Sequence, residues 1–300
     1  MKTILHSVMT TVIILTLTPY LSNAQSVSFE IGSADPNIDP PVVGAGARFM
    51  WYADRIALRA GLVTDDQWDK DQTGLLSTAW GHDNVASGSH STSWGQLNFA
   101  SGDISTAWGF RNNASGFLST SMGGQNISKG TASLTAGIGL RANSLGETVI
   151  GIFNDTLTKA NAANYVNTDY LFVVGNGADE ANRSNALTVF KSGHIQMKAL
   201  VFEYDSLVVN ADNELVDMKS FSYLKIGATF DADPNNRTVI LANGSYTGQV
   251  LILQCIQNNW QLLDGTSNVN LPANRVLSVS DTIQLIWNGS TWLETHFSNN

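Results

Sequence analysis

The stretch Ser77-Thr-Ala-Trp-Gly81 recurs at intervals of fourteen residues as Ser91-Thr-Ser-Trp-Gly95, Ser105-Thr-Ala-Trp-Gly109 and Ser119-Thr-Ser-Met-Gly123. Two degraded copies follow at the same spacing, Ser133-Leu-Thr-Ala-Gly137 and Glu147-Thr-Val-Ile-Gly151. A second column of glycines runs seven residues out of phase, at Gly74, Gly88, Gly102, Gly116 and Gly130. A fixed period of this kind is typical of solenoids, in which each repeat forms one coil.

The period also sets what each half-repeat contains. Seven residues give room for a short strand, at about 3.3 Å per residue, and a turn. Glycine in every turn permits the positive φ of a tight corner. Side chains alternate along each pentad, so Ser77, Ala79 and Gly81 face one way while Thr78 and Trp80 face the other. We therefore predict an all-β, parallel β-roll of 14-residue repeats whose small-residue face allows close approach of another layer or chain.

These repeats resemble a known family. Ser-x-Ala-x-Gly pentads interleaved with Ala-x-Gly turns, such as Ala86-Ser-Gly88, are similar to the head repeats of trimeric autotransporter adhesins. The resemblance covers residues 73–152. It implies a left-handed parallel β-roll in which three chains pack side by side, and a surface that binds matrix or cells. The homotrimer is an implication of the resemblance alone.

The segments that flank the repeats also carry resemblances. Residues 25–72 include Val43-Gly-Ala-Gly-Ala-Arg-Phe-Met-Trp-Tyr52, which resembles the segment that precedes such heads and is expected to cap the first coil. Residues 153–197 include Asn182-Arg-Ser-Asn-Ala-Leu-Thr-Val189, which resembles segments that follow such heads in exported proteins of Bacteroidetes-type bacteria. The coiled coil and membrane β-barrel that anchor the family have no counterpart in this sequence, so host binding does not carry over with the resemblance.

The first 24 residues have the pattern of a signal peptide. Lys2 precedes an apolar run, and Ser22-Asn-Ala24 offers small residues for cleavage before Gln25. We therefore expect an exported protein, extracellular or at the cell surface, with no transmembrane segment after cleavage. The formal net charge of −9 becomes −10 when Lys2 is removed. Because such a chain repels phosphate backbones, nucleic acid is not an expected partner.

The C-terminal part is predicted to be a small antiparallel β domain, residues 223–300, that follows a connector, residues 198–222. Predicted strands are 237–241, 249–256, 260–263, 276–279, 282–287 and 291–297. Asn288-Gly289 predicts a two-residue hairpin in which Trp287 faces Ser290 and Leu285 faces Trp292. Cys255, which is the single cysteine, alternates with Leu251 and Leu253 and is expected to be a buried, inert thiol.

Two columns of the repeat allow a ligand-binding interpretation. The first holds Trp80, Trp94 and Trp108, then Met122, Ala136 and Ile150. It is either an exposed aromatic ladder for sugars or a filling of the coil interior or of the space between chains. The change to Met and Ile favours burial. The second holds Thr78, Thr92, Thr106 and Thr120. This single column is a poor match to ice-binding solenoids, which pair two columns.

Catalytic and metal sites have little support in the sequence. Asp69-Lys-Asp71-Gln-Thr73-Gly74 resembles the opening of a calcium loop, yet the twelfth position is Trp80 instead of a bidentate Glu. Asp65 and Asp66 are interpreted as solvated turn residues. The histidines show no metal-binding spacing: His82, His90, His194 and His296. We predict no enzyme activity and no cofactor, and we assign no ligand-binding residue. The expected function is an adhesin-like fibre, or alternatively a structural subunit of an appendage or of a phage-tail-fibre-like assembly.

Overall fold

A computed structural model describes residues 39–218, 221–229 and 237–300, together with the backbone of residues 26–29. The signal segment predicted for residues 1–24 lies outside the described residues. The described part of the chain is all β apart from two 3-10 turns, Ala53–Arg55 and Lys70–Gln72, which confirms the predicted fold class. The chain divides into two compact units, with the boundary between Lys198 and Ala199.

The first unit is built from long and short strands. Three strands come before the repeats: β1 (Ser26–Phe29), β2 (Gly46–Tyr52) and β3 (Ala57–Val63). The repeats alternate a long strand with a short one: β4 (Thr78–His82), β5 (Val85–Ala86), β6 (Thr92–Gln96), β7 (Phe99–Ala100), β8 (Thr106–Phe110), β9 (Asn113–Ala114), β10 (Thr120–Gly124), β11 (Ile127–Ser128), β12 (Leu134–Ile138), β13 (Arg141–Ala142) and β14 (Thr148–Ile152). Three strands follow: β15 (Tyr170–Asn176), β16 (Asn185–Phe190) and β17 (Ile195–Met197).

Two sheets form the walls of the solenoid. The long strands make a sheet with the order β1-β2-β3-β4-β6-β8-β10-β12-β14-β15-β16-β17, and the short strands make a five-stranded sheet with the order β13-β11-β9-β7-β5. Pairing is parallel from β3 to β15. From β4 to β14 it keeps the fourteen-residue register, so Trp80 lies opposite Trp94 and Trp94 opposite Trp108. The predicted parallel solenoid is confirmed.

Small side chains fill the interior between these sheets. The inward positions of the long strands are fully buried: Ala79, Ser93, Ala107, Ser121, Thr135 and Val149. They meet small residues of the short strands, including Ala86, Ala100 and Ala114. The predicted alternation is therefore correct, and the layer that approaches the small-residue face is the second sheet of the same coil.

The two glycine columns differ in backbone conformation, and both lie close against the next coil. Gly81, Gly95, Gly109 and Gly123 have the predicted positive φ, between 106° and 113°, but they lie within the long strands and not in turns. The other column does not lie in the left-handed region. A Cβ on Gly88 would stand 2.0 Å from the Gly102 carbonyl oxygen of the next coil, so this column is glycine because the coils stack closely. The prediction of positive φ was wrong for this column.

Two residues after each glycine of this second column, the backbone adopts the left-handed conformation at a residue other than glycine. Leu76, His90, Ile104 and Leu118 all have φ between 56° and 58°. For the β-branched Ile104 this conformation costs roughly 1–2 kcal/mol. Because the side chain is about half exposed, little buried apolar contact offsets this cost.

Replacing Ile104 by Asn, which tolerates the left-handed region, is expected to raise the free energy of unfolding by about 1 kcal/mol. Chemical denaturation measures the change. Ile195→Asn is the matched control, since Ile195 is also exposed but lies in a β-strand. An Ile104→Asn variant that is no more stable than the wild type would contradict the assignment of strain to this corner.

The first coil is closed by side chains from the segment before it. Arg59 in β3 takes the place that Ala79 holds in β4 and is fully buried. Its guanidinium donates to Leu58 O, Ser77 O, Ser77 Oγ and Ala86 O at 2.9–3.2 Å. Burial, with a smaller effect from Arg55, lowers the pKa of Arg59 to about 9. Trp68 is also fully buried, and its Nε1 donates to Asn84 O.

The second unit contains ten strands among its described residues: β18 (Tyr204–Val209), β19 (Glu214–Val216), β20 (Tyr223–Ala228), β21 (Arg237–Leu241), β22 (Val250–Gln257), β23 (Trp260–Leu262), β24 (Val269–Asn270), β25 (Arg275–Leu277), β26 (Thr282–Trp287) and β27 (Trp292–Ser298). They form a sheet with the order β18-β20-β22-β26-β27-β24 and a sheet with the order β19-β21-β23-β25. A core that includes Trp260, Trp292 and Leu253 lies within this unit.

Strand pairing in this unit differs from the predicted antiparallel domain. The pairs β18–β20, β20–β22, β19–β21 and β21–β23 are parallel, and β26 pairs antiparallel with both β22 and β27. The chain alternates between the two sheets, so this unit also starts as parallel coils and ends in antiparallel strands. The segment predicted as a connector supplies β18 and β19, because Leu207 and Val209 pack with the core.

The predicted two-residue hairpin at Asn288-Gly289 was also wrong. Trp287 pairs with Trp292 and Leu285 with Glu294, so the loop has four residues, 288–291. Asn288 Oδ1 accepts hydrogen bonds from the backbone N–H groups of Ser290 and Thr291, which stabilises the longer loop. In contrast, the predicted burial of Cys255 is confirmed, and burial raises the pKa of its thiol.

Candidate functional site

The most prominent surface of the first unit is the outer side of its large sheet. Trp80, Trp94 and Trp108 point outward there and are 64%, 60% and 41% exposed. Other exposed apolar residues share this side at register positions beside them: Phe49, Leu62, Phe110, Ile138, Ile150 and Ile152. We call these nine residues the aromatic face. The prediction that the tryptophans fill the coil interior was wrong, whereas burial between chains stays a prediction.

Strand register fixes the geometry of the aromatic face. Adjacent parallel strands lie about 4.8 Å apart, which keeps each tryptophan beside the next. The rings of Trp94 and Trp108 have centroids 5.9 Å apart and are tilted by 44°. Trp80 and Trp94 line a cleft together with Gly81 and Gly95. The cleft is apolar because the glycines contribute no polar side chain.

A column of buried asparagines, which the sequence pattern alone does not distinguish from turn residues, positions the tryptophan strands. Asn84, Asn98, Asn112 and Asn126 repeat every fourteen residues and are fully buried. Each Nδ2 donates to the carbonyl oxygen four residues before it, which is that of Trp80, Trp94, Trp108 or Met122. It also donates to a glycine carbonyl of the next coil, and Oδ1 accepts a backbone N–H of that coil.

The threonine column flanks the tryptophans without forming a separate site. Thr78, Thr92, Thr106 and Thr120 are half-buried on the same side of the sheet. Their register matches that of the tryptophans. The column therefore borders the aromatic face, which is predominantly apolar.

The acidic segment before the repeats has local structural partners. Asp69 Oδ1 accepts a hydrogen bond from Gly44 N at 2.7 Å, while Asp65, Asp66 and Asp71 are exposed. In residues 39–218, 221–229 and 237–300, no group of three or more His, Cys, Asp or Glu residues is placed to hold a metal ion. The segment that resembles the opening of a calcium loop is therefore part of a turn, in which Asp69 is hydrogen-bonded to the preceding chain.

The histidines lie at separate places with local partners. His82 Nδ1 is 3.1 Å from Gln96 Nε2, and its Nε2 is 3.4 Å from Asp83 Oδ2. His90 pairs with Ser89 and His194 with Ser192. His296 lies opposite Gln284 in the second unit. The structure does not gather them into one site.

A buried charged cluster lies at the far end of the solenoid. Glu147 takes the place of the buried serine that starts earlier pentads, and its Oε2 accepts from Asn143 N and Ser144 N at 2.8 Å. Lys191 Nζ lies 3.8 Å from Asp169 Oδ2 and donates to Ser144 Oγ at 3.2 Å. Burial raises the pKa of Glu147 in spite of these hydrogen bonds and the Lys191 charge.

The raised pKa of Glu147 predicts how the stability of the fold depends on pH. The folded state holds the Glu147 proton more tightly than the unfolded chain, so this contribution to stability is complete below the ordinary pKa of 4.5 and is lost as pH rises through the folded value. We expect Glu147→Gln to gain stability over the wild type at pH 7 and to lose that gain near pH 4. Denaturation midpoints at both pH values measure this. Glu203→Gln, at an exposed site, is the control, and a gain equal at both pH values would contradict the account.

Comparisons with known proteins give no match. No protein-family model, curated protein or solved structure matches this chain. Among the described residues, no helix combines the length and the apolar character needed to cross a membrane.

Proposed function

We propose that this protein is an exported, non-catalytic, adhesin-like fibre protein whose solenoid heads associate as a homotrimer through the aromatic face. The observation that carries the proposal is the outward position of Trp80, Trp94 and Trp108. At about 150–250 Å² for a whole aromatic side chain, these three expose roughly 250–400 Å². The six other members of the face bring the total above the patch of about 300–600 Å² that a monomer ordinarily exposes.

A second copy of the chain is the partner that best fits this face. Its columns repeat once per coil, so an identical solenoid presents apolar side chains at the same spacing along its whole length. Stable interfaces bury about 800 Å² on each partner. The apolar side chains of the aromatic face can contribute to this buried area. Closed rotational symmetry limits the number of copies in such an assembly. The resemblance to trimeric adhesin heads favours three copies.

Trimerisation would let the protein bind a surface through several weak sites at once. Three copies of one weak site act at high effective concentration on a surface, which raises avidity without new contacts. We place the fibre outside the cell or at the cell surface, with a glycan or matrix protein as ligand. The alternative is a structural subunit of an appendage or a phage-tail-fibre-like assembly without a ligand. Glycan and matrix-protein arrays separate the two, because only the adhesin-like protein would show saturable binding.

Replacing Trp80 and Trp94 together by Gln is expected to convert the trimer to monomers, because two large apolar side chains at the centre of the face become polar. Sedimentation velocity measures the oligomer. Tyr246→Gln is the control, since Tyr246 is exposed and belongs to the second unit. Circular dichroism checks that the variants fold. A folded double variant with the wild-type sedimentation coefficient would contradict the proposed interface.

A further inference from the structure

A buried amine and a buried carboxylate lie side by side just beyond the last coil of the solenoid. Asp169 directly precedes β15, and Lys191 directly follows β16, which pairs antiparallel with β15. Lys191 N donates to Asp169 O at 2.9 Å, so the backbone pairing extends to these two residues. The Lys191 side chain is 2% exposed and the Asp169 side chain 4%. The fold therefore holds a nucleophile next to a carboxyl group, away from bulk water.

The two groups are poorly satisfied as an ion pair. Lys191 Nζ lies 3.8 Å from Asp169 Oδ2, which is too far for a hydrogen bond between them. Within the described residues, the Lys191 ammonium donates one hydrogen bond, to Ser144 Oγ at 3.2 Å, although it carries three N–H groups. Asp169 Oδ2 accepts from Asn161 N at 3.0 Å. Buried charges with incomplete hydrogen bonding are costly, and joining the two groups as a neutral amide would remove both charges.

A second buried carboxyl group belongs to the same cluster. Glu147 Oε2 accepts from Ser144 N at 2.8 Å, and Ser144 Oγ accepts from Lys191 Nζ. Burial raises the pKa of Glu147, against hydrogen bonds from the backbone and the side chain of Ser144. Ser144 therefore connects the amine to an acid that keeps its proton at a higher pH than an ordinary glutamate. Such an acid can give a proton to a leaving group and take one back.

We propose that Lys191 and Asp169 condense spontaneously to form an amide bond between their side chains, with Glu147 as the group that transfers protons. A proton first passes from Lys191 Nζ to the Asp169 carboxylate, which leaves a neutral amine and a neutral carboxylic acid. The nitrogen then attacks Asp169 Cγ, so that the N–C bond forms and the C–OH bond breaks. Glu147 gives a proton to the departing hydroxyl group and takes back the proton that the nitrogen releases. The products are one amide and one water molecule, so no oxidant or other reactant is needed.

The bond would close the hairpin of β15 and β16 at its open end. β15 continues the parallel sheet from β14, the last strand of the repeats. A cross-link between residues 169 and 191 would join this first strand after the repeats covalently to its antiparallel partner. Because a cross-link restricts the unfolded chain, it would oppose fraying at this end of the solenoid. The inference goes beyond the proposed adhesin-like function and does not depend on it.

Intact-mass measurement of the purified full chain, with a tryptic digest of the same sample, tests the inference. We expect a mass lower by one water molecule than the mass that the sequence gives. Trypsin does not cleave after an acylated lysine, so peptide 160–183 is expected to be joined to peptide 184–198 without cleavage after Lys191. This linked peptide distinguishes the bond from loss of water elsewhere in the chain. Because the masses are measured on the denatured chain, the result is independent of the proposed trimer.

Substitutions identify the atoms that react. Lys191→Met and Asp169→Ala are each expected to have the full mass, whereas Lys129→Met, which removes an exposed lysine, should still lose water. Glu147→Gln is expected to form the bond at least about tenfold more slowly, followed by mass after cell-free synthesis. Because the cross-link would itself stabilise the fold, the pH test of Glu147→Gln is made in a Lys191→Met background, where neither chain forms the bond.

A wild-type chain with the full mass and a free peptide 184–191 would overturn the inference, whether or not the variants fold. Loss of water that persists in Lys191→Met would also overturn it. Equal rates of bond formation in the wild type and Glu147→Gln would refute the role of Glu147 in proton transfer.

Discussion

Replacing Asn98 by Ala is expected to lower the free energy of unfolding by about 4 kcal/mol. The Asn98 amide donates to Trp94 O at 2.9 Å and to Gly109 O at 2.8 Å, and its Oδ1 accepts from Asn112 N at 3.0 Å. Alanine removes these three hydrogen bonds, one of them buried and two partly buried, at about 1–3 kcal/mol for each backbone group left unpaired. Urea denaturation at one fixed protein concentration measures the loss.

The matched control for this prediction is Asn113→Ala. Asn113 lies in the neighbouring short strand, is only partly buried, and its Oδ1 has no hydrogen-bond partner within the described residues. We expect this change to alter stability by less than about 0.5 kcal/mol. Equal effects of the two substitutions would show that the asparagine column does not hold the coils together.

Replacing Gly88 by Ala is expected to cost at least about 3 kcal/mol, because the new methyl group would overlap backbone instead of a movable side chain. Its Cβ would stand 2.0 Å from Gly102 O and 2.5 Å from Gly102 C. Coils can accept the methyl group only by moving apart, which breaks hydrogen bonds such as Gly88 N to Ala100 O. The same denaturation experiment measures the effect.

Gly124→Ala provides the opposite case within the same array. The nearest heavy atom to a Cβ at Gly124 is Ile138 Cγ1 at 4.0 Å, and its φ lies outside the left-handed region. We expect this variant to be unchanged or more stable by up to about 1 kcal/mol, because alanine restricts the unfolded chain. If Gly88→Ala were tolerated as well as Gly124→Ala, close stacking at the second glycine column would be refuted.

The solenoid was predictable because its sequence pattern and its structure have the same period. Gly81 and Trp80 recur every fourteen residues, and the register of the parallel strands repeats with them. The direction of each side chain followed from alternation along the strand. What alternation does not give is which side becomes the interior. Burial favours small residues here because two sheets lie close together, so Ala79 is inside and Trp80 outside.

Other features depended on contacts that no local pattern reports. The asparagine column was visible at the same spacing, but an Asn in a turn does not reveal whether its amide bonds to the next coil. In the second unit, the strands were found near their true positions, yet their parallel partners are distant in sequence, as with Tyr204 and Tyr223. Asp155 and Lys198 line one pocket, which is a proximity that only the folded chain creates.

The homotrimer is tested most directly by the solution mass of residues 25–300, measured by light scattering coupled to size exclusion. We predict a mass three times that of one chain, which persists on dilution because the aromatic face is buried between copies. A clean monomer would contradict the account, since the exposed tryptophans would then have no partner copy.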